Sequence, residues 1–280
     1  MAAIVLALCS SSLAGTGDFF AGLLSRRIST LTILAGVFGI SITVYLAIAA
    51  ATGEPVPSTG YLALGLAAGT ASGTALFLLY RALAIGPMSV VSPVAASAAV
   101  VPVVVGLLTG DKADPALVGG IALTISGGVL VSLRPSAARL EWDRTPVAIG
   151  LAAGAALLIG LNLVALHSAV QASPLWTAIA ARTGGAVVVG SALVVRGVAV
   201  RPLASSLRGI LRIALLNTAA MLALVEANAQ GSLSIVATLA SLYPVPTVGL
   251  ALALLGESVH PAQLAGVASV LAGVALVSLS

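Results

Sequence analysis

Two stretches of this 280-residue chain are one unit written twice: GPMSVVSPVAASAAVVPVVVGLLTGD at Gly86–Asp111 and GSLSIVATLASLYPVPTVGLALALLGE at Gly231–Glu257. Each has a Gly turn, a Ser two or three residues on, an apolar run broken by prolines, and a Gly-acid exit. Gly86 and Ser89 fall on Gly231 and Ser234 at an offset of 145. Beyond the exit, Gly110-Asp111, Pro115, Gly120, Gly127 and Val131-Ser132-Leu133 fall on Gly256-Glu257, Pro261, Gly266, Gly273 and Val277-Ser278-Leu279 at an offset of 146, so one inserted residue reconciles the two. Upstream the echo is fainter, with Thr32, Ala35 and Gly39 against Thr177, Ala180 and Gly184. A duplicated half accounts for this pattern. The alternative is that two Ala/Gly/Val-rich stretches align by composition.

What such a unit can fold into follows from its polarity. Hydrophobic residues make up 60% of the chain and charged residues 7%, where a soluble domain carries about a quarter of its residues as charge. With a mean hydropathy of +1.19, the chain belongs to the helical membrane class. The opening MAAIVLALCSSSLAGTGDFFAG lacks the basic region of a signal peptide, and Leu8 stands before Cys9 where a lipoprotein needs a small residue, so it reads as a first membrane helix. A single cysteine leaves no internal disulfide and no cysteine-based metal cage.

A spanning helix needs about 20 mainly apolar residues. Breaking the sequence at its charges, prolines and glycine clusters leaves ten such runs: Ala2–Leu24, Thr30–Thr52, Gly60–Ala84, Met88–Thr109, Pro115–Leu133, Pro146–Ser168, Pro174–Val195, Arg208–Asn228, Ser232–Leu255 and Pro261–Leu279. Four open on Pro in the first turn, where a missing N–H costs nothing. The expected fold is all-α, ten transmembrane helices arranged as two inverted five-helix repeats. The first repeat covers residues 1–133, a polar linker 134–145, and the second repeat 146–280. Because five is odd, the second copy enters the membrane from the opposite face, an architecture of many secondary transporters.

The links are too short for a soluble domain, so function must sit within the bundle. Spans 4 and 9 carry Pro93 and Pro102, and Pro244 and Pro246, each pair in corresponding halves. Proline removes a backbone hydrogen bond, and in a bilayer a freed carbonyl must face protein or a water-filled cavity. Paired interruptions point to a transporter's site, although a proline kink also occurs for purely structural reasons. Tyr80, Asn162, Asn217, Asn228 and Tyr243 are the candidate substrate contacts, with the asparagines equally able to join helix to helix. His167, near the end of span 6, fits interfacial hydration or a proton relay.

Asp18, Arg81, Arg182 and Glu226 are the charges hardest to place in a bilayer. Their positions along the spans suggest two ion pairs acting as gates, Asp18 with Arg81 and Arg182 with Glu226. The alternatives are that Arg81 and Glu226 extend to the interface and that Arg182 binds a substrate carboxylate. The glycine-rich runs Gly65–Gly73 and Gly150–Gly160 permit close helix approach. GTASG follows no strand and precedes no Lys, which excludes a phosphate loop. No zinc spacing, nucleophile elbow or basic-aromatic nucleic-acid pattern occurs, and no enzyme activity, metal or cofactor is expected.

Ten helices, a five-helix duplication and above all SLYPVPTVGLALALLGE at Ser241–Glu257 resemble the EamA family of the drug/metabolite transporter superfamily, bacterial ten-helix type; GTGDFFAGLLSRR at Gly15–Arg27 is similar to its first helices. The first half departs from this pattern in Asp111 for the Glu and VVP for the Tyr-Pro pair. The resemblance implies a central cavity between the halves, export of small metabolites such as amino acids or of toxic analogues, often by exchange with protons, and no cofactor. The chain is expected to be a multi-pass protein of the bacterial inner membrane, monomeric or homodimeric. A non-transporting scaffold or accessory subunit is the alternative.

The resemblance also implies cytoplasmic termini, whereas the charge pattern implies the reverse. Arg26, Arg27, Arg81, Arg134, Arg139, Arg144, Arg196, Arg201, Arg208 and Arg212 follow or adjoin the ends of odd-numbered spans, ten of the 12 basic residues, and basic links stay in the cytoplasm. A reporter fused after Ser280 is therefore expected to be active only on the outer side; activity confined to the cytoplasm would reverse the topology.

Overall fold

A computed structural model of the chain describes residues 1–108, 145–197, 204–231, 242–256 and 261–279, with residues 115–116, 119–120, 122–123, 126–127, 236 and 239–240. Every regular element among them is helical: α1 (Ala2–Ser25), α2 (Thr30–Thr52), α3 (Thr59–Ile85), α4 (Met88–Ala96), α5 (Val100–Leu108), α6 (Thr145–Ala169), α7 (Pro174–Arg196), α8 (Ala204–Gln230), α9 (Pro244–Leu255) and α10 (Pro261–Leu279). Six helices are long and apolar enough to cross a membrane: α1, α2, α3, α6, α7, and α8 from Ser206. The fifth expected span and the linker before Thr145 lie outside the described residues except at the scattered positions above.

Local signals explain the helix ends. Ser173 caps α7 by accepting from the Trp176 amide at 3.0 Å with Pro174 at the first position, which satisfies a donor the helix cannot satisfy itself. The α2, α7 and α9 helices stop on Gly53, Gly197 and Gly256, each at a positive φ that only glycine adopts without strain. Ser173 also donates to the Glu54 carboxylate, and the Trp176 indole donates to the Glu54 carbonyl at 3.2 Å. One end of α7 is thereby tied to the α2–α3 link.

The expected single helix over Met88–Thr109 is broken. The α4 helix, with Pro93 inside it, gives way to a tight 3₁₀ turn at Ser97–Ala99 before α5 resumes with Pro102 as its third residue. Pro102 cannot donate to the Ala98 carbonyl, so the ladder lapses there. In the later unit Val236, Leu239 and Ala240 are helical, a turn follows at Leu242–Tyr243, and α9 begins at Pro244. The two interruptions are related by the sequence offset, since 98 + 145 = 243.

Packing runs mainly between the first and last portions of the chain. The α3 helix packs most extensively on α6 and α7, and α1 on α8. The α3–α7 crossing is made of small residues: a Cβ added at Gly69 or Gly73 would strike the backbone of Ala181 or Gly185, and one at Gly184 the backbone of Leu66. Without a hydrophobic force between helices in lipid, such backbone approach is what holds them together. Polar ties fasten α8: Tyr45 donates to the Thr218 carbonyl at 2.7 Å, Ser41 and Thr218 share a hydrogen bond of 2.7 Å, and Ser10 donates to the Ala220 carbonyl at 2.8 Å.

Gly69→Ala, which drives a methyl into the Ala181 backbone, is expected to cost about 1–3 kcal/mol by overpacking. Gly60→Ala, in the same helix with open space around it, is expected to be neutral or slightly stabilising. Thermal denaturation of the two variants in detergent measures the difference.

Candidate functional site

The two interruptions are each covered by a glycine from another helix. A Cβ at Gly160 in α6 would strike the Ala98 carbonyl, and a Cβ at Gly15 in α1 would strike the Tyr243 carbonyl. Thr247 fastens the second contact, donating to the Gly15 carbonyl at 2.8 Å. These contacts obey the same offset, since 15 + 145 = 160 and 98 + 145 = 243. A side chain larger than hydrogen at either glycine would hold the broken backbone off its neighbour.

Between these contacts lies a central cavity of about 150 Å³, the size of an engineered cavity that admits benzene. Its walls come from α1, α3, the 3₁₀ turn, α6, α7, α8 and the approach to α9. Seven pairs of its lining residues stand 145 apart: Ala14 and Ile159, Asp18 and Leu163, Ser72 and Asn217, Ala75 and Ala220, Leu76 and Met221, Leu79 and Leu224, Ala98 and Tyr243. The remaining lining residues are Ser10, Asn162, Arg182 and Ala240.

The chemistry does not follow the pairing. Asp18, Arg182, Asn162, Asn217 and Tyr243 are all buried and all face this cavity. Arg182 donates to the Asn217 carbonyl at 3.1 Å and lies over the Phe38 ring, 5.6 Å from its centre. Its Nε, the side-chain oxygens of Asn162 and Asn217, and the Tyr243 hydroxyl have no hydrogen-bond partner among the described residues. Each unpaired buried polar group costs about 1–3 kcal/mol, and a guanidinium cannot shed its charge. A polar occupant of the cavity relieves that cost. The Tyr80 hydroxyl, fully buried, likewise has no hydrogen-bond partner among the described residues.

The expected ion pairs do not form. Arg81 is exposed. Glu226 accepts from Gln230 one turn on at 3.3 Å and lies outside the cavity lining. Asp18 and Arg182 face the cavity instead of Arg81 and Glu226, because helix rotation decides which side of a span turns inward and depth along the sequence does not. Asn162, Asn217 and Tyr243 line the cavity, whereas Asn228 donates to the Leu224 carbonyl in its own helix at 2.9 Å and is no part of it. Tyr80 is buried but is not part of the lining. Pro93 and Pro244 meet in a separate apolar crevice beside α10. Ser10 and Ser72 were not singled out in the sequence; their match to Ala155 and Asn217 at the repeat offset was the available signal for Ser72 alone.

Residues 146–279 match the profile described as the EamA-like transporter family. A solved crystal structure of a protein aligns with 96% of this chain and 96% of its own length at a TM-score of 0.65 and 18% identity, which is a likeness of fold. No curated protein sequence matches.

In a Cys9→Ser background, since Cys9 is exposed, single cysteines at Asn162, Asn217 and Tyr243 are expected to react with a small water-soluble thiol reagent. A cysteine at Asn228 is expected to stay unreactive. Equal labelling at all four positions would deny that the cavity is a water-filled site distinct from the surrounding helices.

Proposed function

We propose that this integral multi-pass membrane protein, whose residues 146–279 belong to the EamA-like transporter family within the drug/metabolite transporter superfamily, is a secondary transporter that exports small metabolites, amino acids or related compounds, through its central cavity. The observation that carries the reading is the set of buried polar atoms facing one small cavity without partners of their own. A scaffold has no reason to bear that cost deep in a bilayer.

The proposed architecture is ten spans in two inverted five-helix repeats. The cavity-lining pairs 145 apart and the reciprocal glycine contacts at the two breaks support it, for a two-fold axis through the cavity brings equivalent positions to equivalent walls. A rocking motion of the halves about that axis exposes the cavity to either side in turn. Arg182 is the anchor for a substrate carboxylate: its unused Nε can complete a charge-assisted hydrogen bond. Asp18, from the other half, complements a cationic group or carries an exchanged proton. Asn162, Asn217 and Tyr243 orient the solute. The protein sits in the bacterial inner membrane, as monomer or homodimer.

Reconstituted protein is expected to catalyse counterflow of labelled small metabolites. Arg182→Gln and Asp18→Asn are each expected to weaken apparent affinity by about 10–100-fold, the equivalent of a charged hydrogen bond of about 1.5–3 kcal/mol. Glu226→Gln, off the cavity, is expected to leave it unchanged. Absence of any counterflow or proton-driven uptake across a broad solute panel would favour the scaffold or accessory-subunit reading instead.

A further inference from the structure

The first three to four turns of α8 carry a second arrangement that the cavity does not use. At 100° per residue, Leu207, Arg208, Leu211, Arg212 and Leu215 fall on one face of the helix, and all five are exposed. A crevice runs down each side of that ridge. One, of about 260 Å³, lies against α1 between Phe20 and Arg27. The other, of about 500 Å³, lies against α2 between Thr32 and Ile40. The eight helical steps from Thr32 to Ile40 give the second a depth of about 12 Å, running from the arginine end along α2.

The α2 crevice has an identifiable cause. At the offset of 145, Ala35 and Ile210 stand where Ala180 and Gly65 make the close α3–α7 crossing. With the bulk of Ile210 in place of a glycine hydrogen, α2 and α8 are held apart at that level, and their contact is less extensive than that of α3 and α7. Apart from three guanidinium groups and Thr32, both crevices are lined by apolar residues and glycine. Arg27 and Arg212 stand on the α1 crevice and Arg208 on the α2 crevice, with Arg212 held over the Phe20 ring at 4.9 Å. No carboxylate lines either crevice, and none pairs with these three arginines among the described residues.

We propose that an anionic diacyl phospholipid straddles this end of α8, its phosphate on Arg208 and Arg212 with Arg27 alongside, and one acyl chain in each crevice. Charge complementarity selects an anionic headgroup, since a cationic one finds only guanidinium groups. The apolar walls select a lipid over a free phosphate. Two crevices flanking one cationic ridge select two chains. The site is independent of which solute the central cavity takes, so its failure and that of the transport reading are separately visible.

The test is thermal denaturation of the purified full-length protein in detergent with added lipid. Phosphatidylglycerol is expected to raise the midpoint in a dose-dependent way, phosphatidylcholine of the same chains not to, lyso-phosphatidylglycerol to give less than half the shift, and inorganic phosphate none. The Arg208→Gln/Arg212→Gln variant is expected to lose the shift. Ala35→Leu, which fills the α2 crevice and keeps every arginine, is expected to reduce the diacyl shift to the lyso value. Should the arginine variant not fold, the Ala35→Leu arm decides alone. An equal shift with phosphatidylcholine, a full shift with inorganic phosphate or the lyso lipid, or an unchanged shift in a folded variant would each overturn the proposal.

Discussion

The structure depends on covering backbone where its helices break. In a bilayer an unsatisfied carbonyl costs several kcal/mol, so irregular chain is tolerated only against protein or water. The breaks at Ala98 and Tyr243 meet that condition through Gly160 and Gly15, whose missing side chains let α6 and α1 lie directly on the exposed carbonyls. The central cavity opens beside the same two points because a helix that stops being a helix no longer fills the space of one. The buried polar groups and the structural irregularities therefore share one location.

Close packing elsewhere is arranged to leave that location open. Glycines at 65, 69 and 73 bring α3 onto α7 backbone to backbone, and the side-chain hydrogen bonds from Ser10, Ser41 and Tyr45 fix α8 against α1 and α2. Dispersion and hydrogen bonds do this work where lipid removes the hydrophobic difference between helix and surroundings. The same register that is tight between α3 and α7 is loose between α2 and α8, where Ile210 stands for glycine. Positions that match at the sequence offset differ in volume.

They have diverged in chemistry too. Seven lining pairs share the 145-residue offset, yet Asp18 faces Leu163's equivalent wall and Tyr243 stands where the other copy has Ala98. Shape is held in common and polarity is not. A cavity that was chemically symmetric would place like charges opposite each other; among its described lining residues this one has a single acid, Asp18, and a single base, Arg182, from different halves of the chain.

The helices themselves were legible in the sequence because length and apolarity suffice to specify a membrane span: α2 and α10 have the expected bounds, α1 and α7 differ from them by a residue at one end, and α3 and α6 by a residue at each end. The prolines of the two units pointed to the interruptions, whereas the correspondence of Ala98 with Tyr243 emerged only from the tertiary structure. What sequence could not supply was rotation about each helix axis. In lipid, both faces of a span are apolar, so no amphipathic stripe declares which side turns inward, and Asn228 and Asn217 look alike. Only packing distinguishes them: Asn217 faces the cavity, and Asn228 spends its amide on its own helix. The same missing information made Arg81 and Glu226 look like partners for Asp18 and Arg182, when the tertiary structure turns the first two away and leaves the last two facing one chamber.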